Sequence, residues 1–191
     1  MRAKDYNKTD RIYKASLELT LTEGIAGLTM AKIAKKADMA TGTLYIYFKN
    51  KEELLQKLNT HLREKSQIRF MKGYKKTEAF KVGLKKVWLN YLTHRIEHHK
   101  ESVFLEQYYR SPYITEEQHK AAEAMKQPVH ELIRRGKKEM LVKDDADDEM
   151  LFLAMIGFIR ELADEHVTQV YKLNRERTEK AFQLSWDMIK K

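Results

Sequence analysis

Thr29-Met30-Ala31-Lys32-Ile33-Ala34-Lys35-Lys36-Ala37-Asp38-Met39-Ala40-Thr41-Gly42-Thr43-Leu44-Tyr45-Ile46-Tyr47-Phe48 is the stretch on which the reading of this chain turns. Thr29 can cap a short helix, Met30 to Ala37, with Met30, Ile33, Ala34 and Ala37 facing inward. A second short helix follows from about Thr41 to Tyr47. Two short helices with apolar faces and a tight turn between them outline a helix-turn-helix. In that motif the second helix enters the DNA major groove with its leading residues at base edges, while the first crosses the backbone.

The residue types suit that task. Ala40, Thr41, Gly42 and Thr43 are small, so the helix backbone can come close to the groove. A threonine can hydrogen-bond a base or a phosphate, or touch a thymine methyl. Tyr45 and Tyr47 can reach phosphates with their hydroxyls, and Lys51 sits at a helix start where free amides already favour an anion. Thr41, Gly42, Thr43 and Tyr45 are thus expected to contact or approach bases. Thr29, Tyr47 and Lys51 are expected to position phosphates. Leu44 and Phe48 would hold the second helix to a small core.

Working outward, apolar residues recur at helical spacing almost everywhere. A first helix is expected from about Lys8 to Thr22, broken by Gly24 and Gly27. Asn50-Lys51-Glu52-Glu53 reads as an N-cap with a glutamate at the third helical position, opening a long helix. Thr77 can cap a helix carrying Phe80, Leu84, Trp88 and Tyr91. Another should run from about Ser102 to Tyr109, ending before Pro112. A helix from Thr115 to about Arg135 should kink or break at Pro128. Asp147 to Val170 is apolar nearly all round between Met150 and Ile159, a pattern that implies burial on more than one side. The last helix should cover about Arg177 to Ile189. The expectation is an all-α chain of about nine helices.

Composition agrees and narrows the function. The 191 residues include 2 prolines, 7 glycines and no cysteine, which excludes disulfides and thiolate chemistry. No window reaches 18 apolar residues and the N-terminus lacks an apolar run, so neither membrane insertion nor secretion is expected and a cytoplasmic location is. The net charge of +9 is uneven: residues 1–60 carry 11 basic and 7 acidic groups, residues 61–100 carry 11 and 3, and residues 101–191 carry 15 and 18. A basic N-terminal half suits a polyanionic partner. The excess between His61 and Lys86 suits either an anionic effector or a solvated helix face. No phosphate-cradling loop, dinucleotide fingerprint or nucleophile elbow is present, so no cofactor and no enzymatic activity are expected.

Thr29 to Leu55, and above all the run Gly42-Thr43-Leu44-Tyr45-Ile46-Tyr47-Phe48-Lys49-Asn50-Lys51-Glu52, resembles the DNA-binding signature of the tetracycline-repressor (TetR) family. One departure is Asp38, where the family often has a turn glycine. Aspartate tolerates the left-handed conformation better than most residues, so the turn should survive. The resemblance implies a helix-turn-helix head, residues 1–48, and a ligand-binding and dimerisation body, residues 49–191. It implies a homodimer on a palindromic double-stranded operator, its last two helices pairing with those of a second copy, with Phe158, Phe182, Ser185, Trp186 and Ile189 as interface candidates. It also implies a repressor released by a small-molecule inducer bound among the middle helices, where Trp88, Tyr91, Phe104 and Tyr108 are candidates for the lining.

One rival reading comes from another class. His94-Arg95-Ile96-Glu97-His98 matches the His-x-x-Glu-His order of a zinc-peptidase class, in which two histidines share a metal and the glutamate acts as general base. The alternative is therefore a helical metal-binding protein or a metallohydrolase using His94, Glu97 and His98; no second segment proposes a third ligand, with Glu165 and His166 left open for it.

Overall fold

A computed structural model describes residues 4–191; residues 1–3 of the expected head, and the side chains of residues 4–6 and 66–68, lie outside the described residues. The elements are α1 (Lys4–Gly27), α2 (Met30–Lys36), α3 (Thr41–Tyr47), α4 (Lys51–Phe70), α5 (Phe80–Glu97), α6 (His99–Tyr109), α7 (Glu116–Ala124), α8 (Gln127–Lys138), α9 (Asp148–Val167) and α10 (Arg175–Ile189). Beside these, the described residues hold one isolated antiparallel bridge, Val142 to Lys190, and no strand. The all-α expectation holds. The tenth helix arises at Pro128: the stretch expected to kink or break there is broken into two helices, with the proline in the first turn of α8, where a missing N–H costs nothing.

Local chemistry explains most boundaries. Gly24 has φ 68 and ψ 167, so it interrupts α1 as expected, and the Ile25 N–H released there donates to Gln107 Oε1 at 2.9 Å. Asn50 Oδ1 accepts from Glu53 N at 2.8 Å, and the Glu53 carboxylate accepts from Lys49 N at 2.6 Å, a close relative of the capping box in which the return bond goes to the residue before the cap. Asp147 caps α9 through Met150 N, and Asn174 caps α10 through Arg177 N. Thr77 does not cap α5. That helix starts at Phe80 without a side-chain cap, because Glu78 accepts from Lys75 N at 2.8 Å and pairs with Lys86, fixing a turn ahead of it.

The chain divides into two compact units. The first holds the residues up to Lys65 together with Lys100–His119. It is larger than the expected head of residues 1–48, because Leu54, Leu55 and Leu58 of α4 and Phe104 and Tyr108 of α6 fill the same cluster as Ile12, Ile33, Leu44 and Phe48. The three N-terminal helices, two of them only seven residues long, have too little apolar surface to close a core alone.

The second unit holds Ser66–His99 and Lys120–Lys191. Its core joins Phe80, Leu84 and Trp88 of α5, Leu132 and Ile133 of α8, Leu151, Met155 and Ile159 of α9, and Phe182 and Ile189 of α10. Gly136 admits the close approach of α8, since a Cβ there would meet Phe80 and Val142 at 2.5 Å. In α9 only the stripe Leu151, Met155, Ile159 and Ala163 is buried, one residue per turn. Met150 and Leu153, on the same apolar helix, remain exposed.

Candidate nucleic-acid interface

The turn between α2 and α3 is built by backbone geometry. Met39 N donates to Ala34 O at 3.0 Å and Asp38 N to Lys35 O at 3.2 Å, the paired bonds of a Schellman motif. Asp38 occupies the left-handed position with φ 53, as its side chain permits. Arg11 of α1 braces this turn: its Nη2 donates to Ala37 O at 2.5 Å and Asp38 O at 2.9 Å.

Beyond the turn, α3 is anchored by Leu44 and, just past its end, Phe48, and presents its opposite side. Leu44 is fully buried and Phe48, just past the last turn, is buried beside Tyr13 at a ring distance of 5.9 Å. Ala40, Thr41, Gly42, Tyr45 and Ile46 are exposed, and Thr43 is half-buried. A Cβ on Gly42 would meet nothing within 4 Å, so the leading turn of α3 is open. Tyr45 is 53% exposed.

The expected phosphate contacts are placed less uniformly. Thr29 is exposed and caps α2 by accepting from Lys32 N at 3.2 Å, which leaves its hydroxyl hydrogen to donate outward. Tyr47 is half-buried against the core. Lys51 is turned inward: its Nζ lies 3.4 Å from Ile25 O and 4.9 Å from the centre of the Tyr113 ring. Sequence reasoning missed two residues here. Ile46 was detectable, since it falls out of phase with Leu44 and Phe48 and must point away from the core. Arg11 was not, since nothing in the sequence ties it to a turn 27 residues later.

The residues expected to line an effector site are mostly packed. In the first unit Phe104 and Tyr108 are fully buried and stacked at 5.7 Å. The Tyr108 hydroxyl lies 2.7 Å from Gln118 Oε1 and 2.9 Å from Tyr113 O, and burial pushes its pKa up to about 12. In the second unit Trp88 is buried, donating from Nε1 to Ser185 Oγ at 2.9 Å, with its ring edge-on to Phe182. Tyr91 is half-buried, edge-on to Phe70 at 5.2 Å, and alone of the four keeps surface to offer. An open groove of about 460 Å³ in the first unit, lined by Tyr13, Gln56, Lys57, Thr60, His61, Glu64 and Gln118, includes none of them. Within the basic segment, Lys76 pairs with Glu131, Lys85 with Glu179 and Lys86 with Glu78.

The interface candidates divide in the same way. Phe182, Ser185 and Ile189 are buried inside the single chain, so they are committed to its own core. Phe158 and Trp186 are half-buried, the latter 6.0 Å from Phe80. The outward apolar residues of the last two helices are instead Met150, Leu153, Leu184 and Met188.

The metal reading is not favoured. His94 is buried without a hydrogen-bond partner at Nδ1, while Glu97 is exposed. Burial, then the charges of His98, Arg69 and Arg95, push the His94 pKa down to about 4. His166 Nδ1 accepts from Leu173 N at 3.0 Å, and among the described residues no three potential ligands converge. Among the described residues, no helix is long and apolar enough to cross a membrane.

Comparison with known proteins bears on the whole chain. Residues 12–58 match the sequence model of bacterial regulatory proteins, tetR family, and residues 80–190 match that of the tetracyclin repressor-like C-terminal domain. An HTH-type transcriptional regulator of Haemophilus influenzae is 26% identical over 191 residues, all of both chains. The fatty acid metabolism regulator protein of Bacillus subtilis is 44% identical over 45 residues, which cover 24% of this chain and 23% of that one. Among solved structures, a TetR family transcription regulator from Marinobacter aquaeolei superposes with a TM-score of 0.84 at 22% identity, covering 100% of this chain and 99% of that one. A TetR-family regulator from Haemophilus influenzae superposes with a TM-score of 0.74 at 25% identity over 100% of both.

Proposed function

Because this chain belongs to the TetR family of bacterial transcriptional regulators, a DNA-binding and non-enzymatic class, we propose that it is a repressor acting as a homodimer on a palindromic operator. A small-molecule inducer bound in the C-terminal body releases it from DNA, and it works in the cytoplasm.

The observation that carries the reading is the two-sidedness of α3. Leu44 fixes one side in the core while Thr41, Gly42, Tyr45 and Ile46 stand clear on the other. A seven-residue helix that exposes this much of itself gains nothing for stability from that face. Ala40 and Thr43 flank it, Thr29 and Tyr47 reach phosphates, and Lys51 contributes charge at the start of α4. Support for the dimer comes from Met150 and Leu153 on α9 and Leu184 and Met188 on α10. These are large apolar side chains left in solvent on the helices that the family uses to pair. Two recognition helices spaced one turn of DNA apart then read a near-palindrome, and linkage multiplies the affinity of each half-site. Tyr91 is the best-placed of the aromatic candidates to meet an effector.

Enrichment of bound duplexes from a random pool, followed by sedimentation of the protein alone and on the enriched duplex, tests this directly. The expected result is an inverted repeat bound by two copies of the chain. Enrichment of no sequence, or of a site bound by one copy, contradicts it. A metabolite screen for release from the enriched duplex then identifies the inducer class.

A further inference from the structure

We infer that Ile46 reads a base: its branched side chain packs on the 5-methyl group of a thymine in the major groove. The inference rests on the DNA-binding reading above and goes further in assigning a base and an atom. Ile46 is 80% exposed, more than any other large apolar residue among the described residues. Single exposed apolar residues are ordinary on protein surfaces, so exposure alone decides nothing. Position decides. Ile46 lies one helical turn beyond Gly42 and on the side of α3 away from Leu44 and Phe48. With no side chain on Gly42, and nothing near where one would be, Ile46 projects past the leading turn without obstruction.

The other roles open to this residue fail on chemistry. It has no core to fill, its hydrocarbon cannot cap a helix, and it offers no donor to a phosphate. Of the four bases, only thymine shows an apolar group in the major groove. An isoleucine is suited to meet it, because branching at Cβ restricts its rotamers and little freedom is lost on contact. The flanking Thr43 and Tyr45 carry the hydroxyls for polar readout, so Ile46 adds a preference that they cannot express.

The test uses the full chain and duplexes enriched from a random pool. Each dT of the enriched half-site is replaced in turn by deoxyuridine, which removes the methyl group and nothing else. At one position per half-site the replacement should weaken wild-type binding about fourfold, the equivalent of one lost methyl burial. Ile46→Ala should bind the parent duplex more weakly and bind dT and deoxyuridine equally at that position. Ile46→Val should keep most of the preference. The inference is overturned if no replacement affects the wild type, or if Ile46→Ala discriminates as the wild type does. Failure to enrich any duplex would overturn the regulator reading instead, so the two failures are distinct. Thermal melts of both variants should match the wild type, since the side chain touches no core.

Discussion

Arg11 holds Asp38 in place: a guanidinium on α1 donates to the backbone carbonyl of the residue at the left-handed position of the α2–α3 turn, at 2.9 Å, and to the carbonyl before it at 2.5 Å. The Asp38 carboxylate itself is fully exposed and 3.4 Å from the same nitrogen, so the backbone contacts matter more than the ion pair. Arg11→Ala should lower stability by about 1 kcal/mol in urea unfolding and loosen the presentation of α3. Asp38→Gly should leave stability nearly unchanged, because glycine suits φ 53, and should raise DNA affinity by removing a negative charge beside the groove. Equal or weaker binding by Asp38→Gly would contradict this.

Trp88 and Ser185 join α5 to α10 through one buried hydrogen bond. Ser185→Ala should cost about 1–3 kcal/mol, since the indole N–H stays buried with no acceptor. Adding Trp88→Phe removes that donor, so the double variant should lose less than the sum of the single ones in a double-mutant cycle. Additive losses would mean that the bond contributes nothing beyond packing.

His94 makes stability depend on pH. Its folded pKa of about 4 lies below its ordinary 6.5, so the unfolded chain takes up the extra proton between those values. The contribution is complete above pH 6.5 and declines as pH falls through this window, by up to about 1.4 kcal/mol per pH unit. Urea midpoints measured between pH 7 and 4.5 should therefore fall less steeply for His94→Gln than for the wild type. Parallel profiles would show that His94 is not the group responsible.

Leu184→Glu should give a folded monomer by sedimentation, because it places a charge on an exposed residue of α10 without touching the core. Trp186→Glu is a poorer probe, since it also removes the ring contact with Phe80. An unaltered dimer for Leu184→Glu would place the interface elsewhere.

Much of this molecule was legible because its signals are local. The Thr29 cap, the Asn50–Glu53 pair, the proline at 128 and the phase of Leu44 and Phe48 each act within a few residues, and each lies where the spacing implied, whereas the cap expected at Thr77 gave way to the turn that Glu78 fixes. What the sequence concealed depends on long-range packing. Phe104 and Tyr108 look like any aromatic pair on a helix; only the fold shows them completing the core of the N-terminal helices. Likewise Phe182, Ser185 and Ile189 share a stripe that suits a dimer as well as a core, and periodicity cannot tell the two apart. The inward turn of Lys51 depends on Ile25 and Tyr113, residues 26 earlier and far later in the chain.

The central claim is that the open face of α3 enters duplex DNA. Gly42→Glu tests it most directly, because a Cβ there meets nothing within 4 Å and the substitution leaves the fold intact. In anisotropy titrations against the enriched duplex, with circular dichroism confirming wild-type helicity, the variant should lose binding by more than tenfold, as an acidic side chain is forced against bases and phosphates. A folded Gly42→Glu protein that binds the duplex as tightly as the wild type would contradict the account.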